Sequence, residues 1–354
     1  MKTVHRAYFK DARDMPEMDS ASVDLVVTSP PYPMIEMWDD VFAAHAPAVG
    51  RALKKNDGRA AFGLMHESLD PVWKESLRVL KPGGLACINI GDAARTVGGS
   101  FMLYPNHARI LTGLLGLGFT PLPAILWRKQ TNAPNKFMGS GMYPAGAYVT
   151  LEHEYILIVR KGAKREFATA DEKRRRRQSA IFWEERNAWY SDVWLELKGT
   201  RQNLRREAGR SRSGAFPFEL AYRLISMFSV KGDTVLDPFL GTGTTLRAAA
   251  AAGRNSVGYE IEPGFRRDIF SDAGAMIAQA QRRIRGRIDD HLRFVDQCRE
   301  TGRELKHLNR HYGFPIVTGQ ETELLLEVPE DVSAREPDGF EVNYAEDPRR
   351  VFEP

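Results

Sequence analysis

Two short strings in this chain combine residue types that could do chemistry. The first is Thr28-Ser29-Pro30-Pro31-Tyr32-Pro33. Prolines around the tyrosine stiffen the backbone, because each fixes its own φ and restricts the residue before it. A stiff loop can hold the Ser29 hydroxyl and the Pro30 carbonyl in fixed directions. An exocyclic amine whose hydrogens meet two such acceptors keeps its lone pair for an electrophile. The flat Tyr32 ring suits a base taken out of a helix. Standing alone, the string would read as a stiffened loop with a packed tyrosine.

The second string is Asp237-Pro238-Phe239-Leu240-Gly241-Thr242-Gly243-Thr244-Thr245, and Glu260 follows in Gly258-Tyr259-Glu260. Glycines in a turn let a ligand approach the backbone, and free amides at a helix start attract its polar groups. A carboxylate about 20 residues further on can bind the hydroxyl pair of a ribose. This is nucleoside chemistry. The phosphate-loop reading fails, because no Gly-Lys-Ser/Thr follows. The dinucleotide fingerprint fails as well, since Leu246 stands where its third glycine belongs.

Strands and helices must hold these strings. Residues 23–27 (VDLVV) read as a short buried strand that the prolines stop. Residues 67–80 read as an amphipathic helix closed by a Lys81-Pro82-Gly83-Gly84 turn, and 85–90 (LACINI) as a buried strand. Further strands are expected at 124–127, 155–159, 234–236 and 256–261, with helices at 218–228 and 246–252. The alternation predicts an α/β fold: a doubly wound, mostly parallel sheet with helices on both faces. Residues 265–312 read as long, arginine-rich helix with breaks expected at Gly286 or Gly302. Residues 313–354 read as a partly ordered acidic tail.

Composition limits the alternatives. At 43% hydrophobic and 27% charged the chain is an ordinary globular one, and 354 residues suffice for a catalytic domain plus an insertion. Two cysteines, Cys87 and Cys298, make neither a disulfide framework nor a zinc site, and no signal-like or membrane-spanning apolar run occurs, so a cytoplasmic setting is expected. From Arg160 to Arg212 sixteen Lys/Arg face eight Asp/Glu, including the run Arg174-Arg175-Arg176-Arg177, whereas residues 313–354 carry three basic and eleven acidic groups. A basic middle invites a polyanion; the run by itself could equally be a solvated loop.

The two strings resemble the catalytic and cofactor motifs of the amino-methylating DNA methyltransferases, whose signature is Asp/Asn/Ser-Pro-Pro-Tyr/Phe. Catalytic motif, basic recognition region and cofactor motif follow in the order of that family's beta group. The resemblance spans roughly residues 1–265. It implies S-adenosyl-L-methionine as cofactor and duplex DNA as substrate, with a specific recognition sequence and, in a restriction-modification setting, a cognate endonuclease. Carried over residue by residue, it makes Ser29, Pro30, Pro31 and Tyr32 the catalytic loop. Asp237, Phe239, Gly241, Thr242, Gly243 and Thr244 line the cofactor pocket, Glu260 holds the ribose, and Asp11 sits near the adenine amine. Phe216-Pro217 resembles the segment beside the methionine moiety, although Arg212-Ser213-Gly214 lacks the family's histidine-proline pair. The Lys81–Gly84 turn is structural.

The implied organisation is a catalytic half at 1–128, a target-recognition region at 129–214 that includes some core strand, a cofactor half at 215–265, a helical extension at 266–312 and the tail. Trp183, Trp189, Tyr190 and Trp194 could stack on DNA or form a core, and a core role is favoured for at least two of the tryptophans. Arg174–Arg177 are the candidate phosphate contacts. In the family, Ser in the catalytic loop leans towards cytosine N4 and Asp or Asn towards adenine N6. Cys87 and Cys298 lie in a predicted strand and helix, which argues against the thiolate chemistry of carbon-5 methylation. A nicotinamide-dependent dehydrogenase and a catalytically silent DNA-binding protein are the rivals; the first leaves the Pro-Pro-Tyr loop unexplained, the second the intact motifs.

Overall fold

The computed structural model describes residues 1–129, 138–199, 216–270, 272–335, 337–347 and 349. Within them the strand–helix alternation builds one sheet of ten strands. These are β1 Lys2–Tyr8, β2 Val23–Thr28, β3 Leu80–Ile90, β4 Phe119–Arg128, β5 His153–Lys161, β6 Val193–Trp194, β7 Thr234–Asp237, β8 Asn255–Tyr259, β9 Pro329–Arg335 and β10 Gly339–Tyr344. Their order across the sheet is β6-β4-β5-β3-β2-β7-β8-β1-β10-β9. All but β5 and β10 run in one direction, as a doubly wound α/β sheet requires.

β2 shows why the centre is stable. All six of its residues are buried. Val26 enters the core on one face, where the helix Gly58–Val79 packs, while Leu25 and Val27 enter the core on the other, against the helices Phe218–Phe228 and Thr244–Ala251. Alternate side chains of a strand point to opposite faces, so a strand covered on both sides must be apolar throughout. The helix before β3 begins well ahead of residue 67, because the Asp57 carboxylate accepts the Ala60 amide and caps its first turn.

Two expectations are corrected, one is met in part, and two elements come unannounced. The acidic end is not a loose tail: β10 pairs with β1 and β9 with β10, extending the central sheet. Its alternation Phe340, Val342, Tyr344 faces the core, and the Tyr344 hydroxyl meets Thr3 at 2.9 Å. Of the two alternative breaks expected in the long helix, the one at Gly302 is found: Ala273–Glu300 passes through Gly286 unbroken and ends just before Gly302. The arginine run is not a loop. It forms the helix Ala170–Gln178, closed at its start by a capping box of Thr169 and Glu172. Finally, the sheet gains β1, and a hairpin forms at Ala93–Val97/Ser100–Tyr104, where the sequence pattern announces neither.

The cysteines behave as packing residues: Cys87 in β3 and Cys298 in a helix are both free and buried, and burial pushes the Cys87 thiol far up. Trp189 and Trp194 are core, as favoured. No helix of the described residues is long and apolar enough to cross a membrane.

Candidate active site

β1, β2, β3, β4, β7 and β8 all end at one edge of the sheet, and antiparallel β5 begins there. In a doubly wound fold this carboxyl edge is where ligands bind. The Ser29–Tyr32 loop leaves β2, and the glycine turn leaves its neighbour β7, so pairing of these two strands brings together strings about 200 residues apart in sequence. The side chains also tie them. Asp237 is buried and accepts from Thr28 Oγ1 (2.6 Å), from Thr245 Oγ1 (2.5 Å) and from the Phe239 amide (3.0 Å). Burial pushes its carboxyl up to about 6, against the lowering effect of those bonds. Asp237 is thus the brace between the two motifs.

In the Ser29–Tyr32 loop Pro30 is buried and Ser29, Pro31 and Tyr32 are half-buried. The Ser29 hydroxyl donates to Tyr32 Oη (3.1 Å), which in turn donates to Glu154 Oε2 (2.8 Å). Asn89 Nδ2 reaches both Tyr32 Oη (2.8 Å) and Glu154 Oε2 (2.7 Å), and Lys129 Nζ holds Glu154 Oε1 (2.7 Å). Burial, and after it the charge of Glu154, push the Tyr32 hydroxyl well above its ordinary value, so it stays protonated. Gly91 lets the ring in: a Cβ there would stand 3.0 Å from Tyr32 Cε2.

At the cofactor turn, Gly243 caps the helix Thr244–Ala251 with φ +83°, a conformation in which any side chain is strained. Gly241 offers its amide to Glu260 Oε2 (2.8 Å), and the Glu262 amide holds Oε1 (2.8 Å). A Cβ at Gly241 would meet no atom within 4 Å, so the turn faces open space beside that carboxylate. Phe239 packs edge-on to Trp73 with ring centroids 5.9 Å apart, and Thr242 lies half-buried between the two glycines.

The model of the N6/N4 DNA methylase family matches residues 23–271, which holds both motifs. The chain belongs to this family. It is 49% identical over 347 residues to the Type II methyltransferase M.MthZI of Methanothermobacter thermautotrophicus, covering 98% of this chain and 96% of that protein. It is 48% identical over 283 residues to the Type II methyltransferase M.MjaI of Methanocaldococcus jannaschii, covering 77% and 92%. Among solved structures it resembles a DNA modification methylase of Thermus thermophilus, TTHA0409, complexed with S-adenosyl-L-methionine, at 34% identity and a TM-score of 0.57, over 76% of this chain and 96% of that one. The cytosine-N4-specific PvuII DNA methyltransferase shares the fold at 18% identity and a TM-score of 0.55, over 79% and 92%.

S-adenosylmethionine is therefore the methyl donor of this DNA methyltransferase, and the residues fit it. Gly241 and Gly243 keep the turn bare, and Glu260 presents a carboxylate that suits ribose hydroxyls. Asp11 stands just past β1, whose Tyr8 carbonyl accepts the Glu260 amide (2.9 Å). Burial raises its pKa, but hydrogen bonds from Arg13 outweigh that and leave it below the ordinary value. Phe216 is buried, and Pro217 caps the helix Phe218–Phe228. The segments 130–137 and 200–215, with Arg212-Ser213-Gly214, lie outside the described residues.

The structure does not bring Arg174, Arg175, Arg176 and Arg177 to this edge. Their helix stands where β7 begins: Ser179 Oγ accepts the Lys231 amide (2.9 Å), and a Cβ on Gly232 would meet Arg175 Nη1 at 3.4 Å. Sequence reading also passed over Asn89, Gly91, Lys129 and Glu154. The signal available was a polar residue inside an otherwise apolar strand (Asn89) and an acid at the head of another (Glu154).

Proposed function

We propose that this enzyme transfers a methyl group to N4 of cytosine within a specific sequence of duplex DNA, as the modification activity of a restriction-modification system. The observation that carries the reading is Ser29: a neutral hydroxyl stands in the catalytic loop where a carboxylate or amide would suit adenine N6. The Type II designation of relatives that match 98% and 77% of the chain supports the restriction-modification setting.

The bound cofactor supplies an electrophilic sulfonium methyl. The protein supplies orientation, which can account for much of the rate. Ser29 Oγ and the Pro30 carbonyl accept the two hydrogens of the amine and leave its lone pair directed at the cofactor pocket. Tyr32 offers the extruded base a ring held at its far end by Glu154 and Asn89. Glu260 and the Gly241–Gly243 turn hold the donor in place across the β2–β7 seam.

The test is mass spectrometry of nucleosides from duplex DNA incubated with enzyme and S-adenosylmethionine. N4-methylcytosine without 5-methylcytosine is expected. N6-methyladenine as sole product would overturn the base assignment. Ser29→Ala is expected to slow transfer while leaving cofactor affinity intact.

A further inference from the structure

A serine hydroxyl can accept or donate, so Ser29 alone does not dictate which role it takes toward a base. An aspartate in its place would have no such freedom. What removes the freedom here lies in β5. Glu154 as a carboxylate only accepts. Tyr32 therefore donates its single hydroxyl hydrogen to Glu154 Oε2 (2.8 Å), and its oxygen is left to accept from Asn89 Nδ2 (2.8 Å) and from the Ser29 hydroxyl (3.1 Å). Each link in this chain has one sense. The hydrogen of Ser29 is directed at Tyr32, and its lone pairs are left for an amine N–H. Asn89 is forced in the same sense: its amide hydrogens face Tyr32 and Glu154, and its Oδ1, also buried, has no hydrogen-bond partner among the described residues. Lys129 Nζ at 2.7 Å secures the other oxygen of Glu154, so the carboxylate cannot turn away.

From this one-way chain we infer that Glu154 is a positioning residue that acts through Tyr32 to make Ser29 a hydrogen-bond acceptor toward the exocyclic amine. The inference rests on the amino-methylation reading above, but not on which base is methylated.

Glu154→Gln tests it. The substitution keeps the shape and introduces an N–H that can face Tyr32 Oη. Tyr32 then donates to Ser29, and the Ser29 hydrogen turns toward the incoming amine. The expected result is a fall in kcat of about tenfold or more, the scale of one misdirected buried hydrogen bond. KM for DNA and Kd for S-adenosylmethionine should move by less than about twofold, since the change touches a single contact to the target base and none to the cofactor. In the Ser29→Ala background Glu154→Gln should cost nothing further, because the group it orients is gone. A purely structural role would instead lower thermal stability and add its loss to that of Ser29→Ala.

Wild-type kcat in Glu154→Gln, or a loss that adds in full to that of Ser29→Ala, would overturn the inference. Should Glu154→Gln not fold, Tyr32→Phe decides: it keeps the ring and cuts the chain. A loss of about tenfold in kcat supports the inference, and wild-type kcat ends it. Product analysis of the wild type reports separately on the base: N6-methyladenine together with the expected Glu154→Gln loss overturns the cytosine assignment and leaves this inference standing.

Discussion

The two edges of the sheet use charge in opposite ways. At the edge where strands end, charged groups hold neutral ones beside the two motifs: Glu154, itself held by Lys129, accepts from Tyr32, and Asp237 joins Thr28 to the glycine turn. At the edge where strands begin, arginines and lysines are abundant but largely matched in place. Arg165 binds Asp233 (2.6 Å), Lys231 binds Glu327 (2.8 Å), Arg287 binds Glu185 (2.6 Å), and Asp171 sits beside both Arg174 and Arg175. A local excess of basic residues in the sequence thus need not lie at the edge that carries the two motifs. Arg165 meets a carboxylate distant in sequence, Arg174 and Arg175 meet one on their own helix, and that helix stands at the edge where β7 begins.

The contrast predicts its own failures, largest first. Arg287 is buried with Glu185 and also touches Tyr222 Oη (3.1 Å). Arg287→Ala leaves a buried carboxylate unpaired and is expected to cost about 3–5 kcal/mol in urea unfolding. A cost near zero would show that the matched edge is not structural. At the other edge, Asp237 has a folded pKa of about 6, raised by burial above the 3.8 of a free carboxyl. The folded state then binds more protons than the unfolded chain between those values, so the contribution of Asp237 is full below pH 4 and is lost as pH rises through 6. The loss amounts to up to about 3 kcal/mol. Asp237→Asn should abolish it, seen as a flatter unfolding free energy between pH 4 and 7; an unchanged slope would refute the assignment.

Glu260→Ala removes the carboxylate set beside the glycine turn. A loss of about 1.5–3 kcal/mol in S-adenosylmethionine affinity is expected by calorimetry, roughly ten- to hundredfold. Wild-type affinity in the folded variant would move the ribose elsewhere. The smallest effect belongs to the arginine run. Replacing Arg174, Arg175, Arg176 and Arg177 by Gln should leave the salt slope of DNA binding unchanged, with stability altered by less than about 1 kcal/mol. A slope reduced by about 0.9 per arginine would return this helix to the DNA-binding surface and break the comparison.

The two motifs were legible because local order carries them. Prolines at 30, 31 and 33 stiffen their loop whatever surrounds it. The glycines at 241 and 243 mark a turn by their own conformational freedom, and apolar runs such as 23–27 and 85–90 announce buried strands. The strands at the acidic end were hidden because their composition resembles that of disordered chain. Only pairing with β1 gives Phe340, Val342 and Tyr344 a core to face. A ring-only role for Tyr32 follows from its chemical type, but its hydroxyl has three partners that no local pattern shows.

By itself, then, the sequence determined the chemistry on offer: a hydroxyl in a rigid loop, a bare turn, a carboxylate at a strand end and an alternation that builds a mostly parallel sheet. Tertiary structure decided where these act and in which sense. Strand order set β2 beside β7 and β5 beside β3, and so put residue 154 against residue 32. A strand's neighbours are chosen by the packing of both sheet faces at once, so a hydrogen-bond chain that crosses strands emerges only when the whole sheet has closed.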